Sequence, residues 1–330
     1  MTSTAQSASL RLVSSAPDEP HPTAQRVIEL LAEGKPPEGA GIAALRRHYN
    51  LSRRQFLSEL EPVESVFHIL PAERGVPRLT IIRPRGYRTG ERLPALVYLH
   101  GGGWSLGSLA TYEPLCRQLA NACNMIVIWV EYRLAPEHPF PAAYDDTLAA
   151  WRWVQQNTNE IGADPARISI GGDSAGGNLA ATVALTLRGE TGIQPWRQLL
   201  LYPCLDLSAS LPSHRKLADG YLLTAPLYAW YRNNYLAGAH TDDPRLSPLF
   251  VEDVSGLPPT IVLYAGFDPL RDEAAAYTIK LTLAGVPVET LYFADMIHGF
   301  LTMGGVIPAA QAAVTRIAGM LSSPSSDRSF

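Results

Sequence analysis

The chain has 330 residues, 46% of them hydrophobic and 18% charged, which is enough to bury a large core and leaves room for an elaboration beyond one ordinary domain. A formal net charge of -4, with no long run of Lys or Arg, argues against a surface built to grip nucleic acid or an anionic membrane. The longest apolar runs, such as 126–130, fall far short of the roughly 18 residues that would span a bilayer.

The opening MTSTAQSASLRLVSSAPDEP has neither a basic start nor an apolar stretch, so it reads as a polar lead-in and not as a secretory signal, and the expected location is cytoplasmic. Val27, Ile28, Leu30 and Leu31 form one stripe of a helix over 24–33, and a second helical stretch over 42–60 is expected to break near Asn50. From residue 63 the period changes. Segments 63–70 and 79–84 read as strands, and short apolar runs of the kind buried on both faces of a parallel sheet recur at 95–99, 125–130, 167–170, 198–202, 260–264 and 288–293. Helical patterns at 142–156, 175–187, 272–283 and 308–321 separate most of them. This alternation predicts an α/β fold, a mostly parallel sheet of about eight strands with helices on both faces.

One interval breaks the rhythm. The stretch between Tyr202 and Thr260 is too long for a plain connection and gathers Tyr221, Leu222, Leu223, Tyr228, Trp230, Tyr231 and Tyr235, so it reads as a helical cap whose aromatic face covers a site. The Ser-rich end 322–330 reads as a frayed tail. Cys116, Cys123 and Cys204 are odd in number and form no CxxC pair, which suits reduced thiols better than a disulfide framework or a zinc site.

Acyl transfer needs a hydroxyl activated by a base, and donors for the negative oxygen of a tetrahedral intermediate. The pattern G-x-S-x-G occurs twice, at 103–107 around Ser105 and at 172–176 around Ser174. Ser174 alone has the strand-turn-helix context that lifts a nucleophile above a sheet, because it follows the strand at 167–170 and opens an Ala-rich helix. Ser105 lies in a Gly-rich loop with Pro114 soon after. His100-Gly-Gly-Gly-Trp104 directly follows a strand, and the N–H groups of Gly102 and Gly103, with that of Ala175, are the expected oxyanion donors. His100 itself reads as a loop brace.

The triad order in such folds is Ser, acid, His. Of the histidines after Ser174, His214 and His240 fall in the expected cap, whereas His298 stands in a loop after a strand. Asp268, at the carboxyl end of the strand at 260–264 where such sheets bind ligands, is the expected acid, with Asp295 the runner-up.

With these residues in place the chain resembles the hormone-sensitive-lipase-like esterases, family IV of the bacterial lipolytic enzymes. The resemblance rests on HGGGW at 100–104, YRLAPEHPFPAAYDD at 132–146, DPARISIGGDSAGGNLAA at 164–181, DPLRDE at 268–273 and HGF at 298–300, and covers roughly residues 65–303. It implies a capped α/β-hydrolase that cleaves short-chain carboxylic esters through Ser174, Asp268 and His298, with no metal or organic cofactor. It also implies that 132–146 braces the site, that Asp173 and Asp272 are supporting carboxylates, and that 288–293 is a dimer edge. The corresponding division is 1–60 and 206–245 as cap, 61–205 and 246–330 as catalytic domain, with Trp104, Tyr221 and Leu222 facing the substrate. Two rival readings use the same residues: an amidase or peptide hydrolase, and a receptor that binds a small molecule without turnover.

Overall fold

The computed structural model describes residues 17–34, 39–190, 192 and 194–322; the polar lead-in before residue 17 and the tail after 322 lie outside the described residues. Eight strands form one sheet: β1 (Ser65–Ile69), β2 (Leu79–Arg83), β3 (Leu93–Leu99), β4 (Ile126–Val130), β5 (Ala163–Asp173), β6 (Gln198–Leu201), β7 (Thr260–Phe267) and β8 (Val288–Ile297). Their order is β1-β2-β4-β3-β5-β6-β7-β8. The pairs β1 with β2 and β2 with β4 are antiparallel, and every pair from β4 to β8 is parallel.

Ten helices accompany the strands in the described residues. They are α1 (Pro22–Glu33), α2 (Ile42–Arg53), α3 (Leu109–Cys123), α4 (Ala142–Gln156), α5 (Thr158–Ile161), α6 (Ala175–Arg188), α7 (Pro212–Lys216), α8 (Ala225–Leu236), α9 (Arg271–Leu283) and α10 (Pro308–Ser322).

The period of two along each strand sorts the core into two layers. Ala95, Val97 and Leu99 of β3 and Ile126, Ile128 and Val130 of β4 face a layer with Trp151 of α4 and Leu179 and Val183 of α6. Leu96, Tyr98, Val127 and Trp129 face the other layer, with Leu115 and Leu119 of α3 and Val314 and Ile317 of α10. Both layers being apolar explains why these strands read as unbroken hydrophobic runs and not as an alternation.

Three boundaries depart from the sequence expectation. The helix expected to break near Asn50 continues as α2 to Arg53, followed by a tight turn of 3-10 helix at Arg54–Phe56. Pro114, read as a loop marker, lies inside α3, where a reciprocal cap between Ser108 and Thr111 starts the helix firmly enough to absorb the lost hydrogen bond. Strand β8 runs on to Ile297, so Asp295 belongs to the strand and His298 follows its last residue.

Ile128 is fully buried between two neighbouring strands, whereas Ile279 of α9 is 60% exposed. Ile128→Ala is therefore expected to cost about 2–5 kcal/mol in urea unfolding through the cavity it leaves, and Ile279→Ala to stay within about 0.5 kcal/mol.

Candidate active site

Strand β5 ends at Asp173 and α6 starts at Ala175, so Ser174 alone makes the turn, with φ 55° and ψ -117°. A non-glycine residue in that region is strained and persists only when its surroundings hold it. Here they do. The Ser174 N–H donates to the Leu201 carbonyl at 2.9 Å, and the Ser174 carbonyl accepts from Asn178 N–H at 3.0 Å and Cys204 N–H at 3.2 Å. The turn also presses α6 against β3: a Cβ on Gly176 would lie 1.9 Å from the Leu99 carbonyl oxygen, so only glycine fits.

The Ser174 Oγ lies 2.9 Å from His298 Nε2, and His298 Nδ1 lies 2.8 Å from Asp268 Oδ2. Asp268 is fully buried, and its other oxygen accepts from the Leu270 N–H at 2.8 Å. The Tyr202 ring sits edge-on to the imidazole, with centroids 5.0 Å apart. Three residues drawn from three strand ends thus form one hydrogen-bonded line. Asp295, the alternative acid, is not in it. Ser105 is also apart: its side chain is buried in a turn, and its carbonyl accepts from Arg46 Nε.

The loop after β3 faces this line. The Gly101 N–H donates to Asp173 Oδ1 at 2.8 Å, and that carboxylate also accepts from the hydroxyls of Tyr98 at 2.9 Å and Tyr112 at 3.1 Å. Burial raises the Asp173 carboxyl to about 6, while these three donors and His298 pull it back toward ionisation. With Gly101 tied down, Gly102 (φ 104°) and Gly103 (φ 59°) bend into the pocket around Ser174, and their N–H groups have no hydrogen-bond partner among the described residues. The N–H of Ala175, first in α6, is one of the amides that a helix start leaves free. At Gly103 a Cβ would fall 2.1 Å from the Tyr231 ring, so the close approach of α8 again admits only glycine.

His100 does not take part in this line. It stacks between Trp129 and Tyr132, with centroids 5.2 and 4.3 Å away, and the Tyr132 hydroxyl donates to the His100 carbonyl at 2.6 Å. The 132–146 segment adds Arg133 on Asp146, a bidentate pair in which Asp146 is buried. Asp272 lies farther off and accepts from the Ser213 N–H in α7. Beside it Glu273, fully buried, accepts from Leu205 N–H at 2.5 Å, from Asp206 N–H and from His214, and burial raises its carboxyl to about 7.

The pocket around Ser174 is narrow, with a cavity volume of about 60 Å³. Trp104 and Leu222 line it, as expected, and Trp104 is stacked flat on Tyr235 at 4.3 Å. Tyr221 does not line it but packs on Phe267 with centroids 5.1 Å apart. The turn that carries both residues gives its inward place to Leu222, whose φ of 70° directs the backbone there.

Tyr228 and Tyr231, two of the aromatics gathered between Tyr202 and Thr260, also line the pocket, and so do Tyr49, Arg53 and Leu227, which nothing in the sequence singled out. Arg46 shows how α2 reaches the site. Its guanidinium grips Glu137 through two 2.7 Å hydrogen bonds and the Ala135 carbonyl at 3.1 Å, and positions 46, 49 and 53 share one helix face, so fixing Arg46 places Tyr49 and Arg53. Among the described residues, no cluster of three or more His, Cys, Asp or Glu side chains is arranged to hold a metal ion.

Residues 96–302 match a family model described as alpha/beta hydrolase fold. The chain belongs to this family. The carboxylic ester hydrolase LipN of Mycobacterium tuberculosis is 45% identical over 228 residues, which are 67% of this chain and 60% of that relative's length. An ethyl acetate hydrolase of Pseudomonas putida is 39% identical over 225 residues, 68% of this chain and 71% of the other. A solved ester hydrolase from the metagenome of Lake Arreo, in complex with a bipyridine phosphonate derivative, superposes with a TM-score of 0.86 at 37% identity, covering 91% of this chain and 98% of that one. This α/β-hydrolase also has no described helix long and apolar enough to cross a membrane.

Burial holds the His100 imidazole down, from the ordinary 6.5 to about 4, against the opposing pull of the Gly101 carbonyl. An unfolded histidine takes its proton near about 6.5, so neutral His100 contributes stability in full above that pH and loses it as pH falls toward about 4. Asp173 and Glu273, raised by burial, run the other way and favour the folded state as the pH falls. The His100 ring resonance in a histidine-labelled NMR titration is therefore expected to stay at its neutral position down to about pH 5, where a free imidazole is mostly charged.

Proposed function

We propose that this chain is a serine carboxylesterase in which Ser174 is the nucleophile, His298 the base and Asp268 the orienting acid. The observation that carries the reading is the hydrogen-bonded line from Asp268 through His298 to the Ser174 Oγ, ending in a pocket edged by free backbone amides. His298 Nε2 takes the Ser174 proton as Oγ attacks the ester carbonyl. Gly102, Gly103 and Ala175 N–H groups hold the oxyanion, and the protonated imidazole then gives its proton to the departing alcohol. Water, deprotonated by the same imidazole, attacks the acyl-enzyme; the acid is released and Ser174 regains its hydrogen.

Asp268 fixes the imidazole tautomer and balances its charge. Asp173 holds the amide-bearing loop without reacting. The names of the relatives support an ester as substrate, and the pocket supports a small one, because its wall includes the buried side chains of Cys204, Leu223, Tyr228 and Leu270. The predicted cap, 1–60 and 206–245, supports the same view in its described part, since α2 and α8 supply Tyr49, Leu227 and Tyr231 to the pocket wall. Three free thiols fit a cytoplasmic setting. A homodimer through 288–293 is supported by the place of β8 at the end of the sheet and by Tyr292, 42% exposed on it.

Ser174→Ala is expected to lower kcat on short p-nitrophenyl esters by at least about a thousandfold, and Asp268→Asn by about a hundredfold or more. Mass spectrometry after treatment with an organophosphonate should find one adduct, on Ser174; a receptor without turnover would give none. Activity on matching anilides equal to that on the esters would favour the amidase instead. Sedimentation equilibrium is expected to give twice the 35.9 kDa chain mass, and a charge placed on the outer edge of β8, for instance Tyr292→Glu, to return it to one.

A further inference from the structure

Ester hydrolysis does not call for a fixed cation in the pocket, yet one is present. Among the described residues Arg53 is the one Lys or Arg lining the cavity around Ser174. Its guanidinium lies over the Tyr49 ring, 5.0 Å from the centroid, and its Nη1 is 3.9 Å from the Met303 Sδ, a weak acceptor. No described carboxylate forms an ion pair with it. Arg46, seven positions earlier on the same helix face, contrasts with it by being fully engaged with Glu137. Stacking uses the face of a guanidinium and leaves the in-plane N–H donors free to bind a planar anion.

The position of Arg53 indicates which part of an ester it would meet. Gly299 and Thr302, in the turn directly after His298, line the same pocket, and Met303, the last residue of that turn, brings its Sδ to 3.9 Å from Arg53 Nη1. The departing oxygen must lie on the His298 side to receive its proton. Cys204, Leu223, Tyr228 and Leu270, which are buried and make no contact with Arg53, offer the acyl group an apolar wall. Beyond Arg53 the pocket continues into a groove of about 690 Å³ between α1, α2 and α8, with which it shares Tyr49, Arg53, Leu222, Leu227 and Tyr231. That groove is lined mainly by Ile28, Leu31, Leu45 and Trp230, and the one carboxylate on it, Asp219, is exposed and accepts from the Gly220 N–H.

We propose that Arg53 binds a carboxylate carried by the alcohol part of the substrate, so that the preferred class is short-acyl esters of hydroxy acids, aromatic ones included. This rests on the reading of Ser174 as an ester-cleaving nucleophile and adds the leaving group's charge to it. The reaction itself is unchanged: the acyl group passes to Ser174 and then to water, and the hydroxy acid departs with its carboxylate intact. In an apolar pocket an opposite charge within reach of Arg53 interacts far more strongly than it would in water.

The test uses the full chain at low ionic strength and two matched pairs of esters. Phenyl acetate and para-acetoxybenzoate differ by a carboxylate on the leaving group, and phenyl butyrate and monophenyl succinate by one on the acyl group. The ratio of kcat/KM within a pair cancels any loss of folded enzyme. For the acetate pair, the anionic-to-neutral ratio is expected to fall about tenfold in Arg53→Gln and less than about threefold in Arg53→Lys. It should also fall in the wild type as salt is raised. The butyrate and succinate ratio should stay within about twofold throughout. An acetate-pair ratio equal in wild type and Arg53→Gln, or a change confined to the succinate pair, overturns the assignment. If the wild type hydrolyses no phenyl acetate or phenyl butyrate, the esterase reading falls and this one with it; if it hydrolyses them with no Arg53-dependent ratio, this one falls alone.

Discussion

The close approach of α6 to the end of β3 is the constraint on which the site depends. The Leu99 carbonyl oxygen stands where a side chain on residue 176 would go, so the helix can begin only as tightly as two glycines beside Ser174 allow. That crowding forces Ser174 into a backbone conformation costing of order 1–3 kcal/mol, which the hydrogen bonds to Leu201, Asn178 and Cys204 offset. The strain has a use. It lifts one hydroxyl clear of both elements and leaves the first amide of α6 pointing into the same space.

Around that turn the polar groups are sorted by burial. Asp268 and Asp173 are both buried, yet each is satisfied by a different set: backbone and imidazole for Asp268, two tyrosine hydroxyls and a backbone amide for Asp173. Glu273 repeats the pattern where the chain leaves β6, accepting from two consecutive amides at 205 and 206 and from His214 in α7. A buried carboxylate with its acceptors filled stiffens what it touches, because losing one donor would strand a charge in low dielectric. These three carboxylates therefore hold the loop after β7, the loop after β3 and the segment after β6 in place on one sheet.

What could be read from the amino-acid order divides along the range of the contacts involved. Ser174 was legible because its signal is local: a strand, a tight turn and a helix within a dozen residues. The strands were legible because both faces of each are covered, which writes itself as runs such as 126–130. Asp268 and His298 followed from chain order and from their place after strands. Tyr49 and Arg53 could not be found in this way, since long-range contacts such as the grip of Arg46 on Glu137, 91 residues away in sequence, bring them to the pocket, and α2 by itself looks like any packing helix. Tyr221 was misjudged for a related reason. Aromatic content marks the segment as covering something, but which neighbour turns inward is decided by one positive φ at Leu222. Pro114 misled because a strong cap upstream can carry a proline in a helix's second turn.

Asp173 has a further effect on the geometry of the site. It precedes Ser174 in the chain and holds the Gly101 amide across to the neighbouring strand, where Leu99 and Gly172 are register partners. The Ser174 hydroxyl and the loop that carries the Gly102 and Gly103 amides are thereby mounted on one bracket. A displacement of either strand end would therefore tend to carry both together, because one carboxylate and its three donors tie the Gly101 loop to the residue before Ser174.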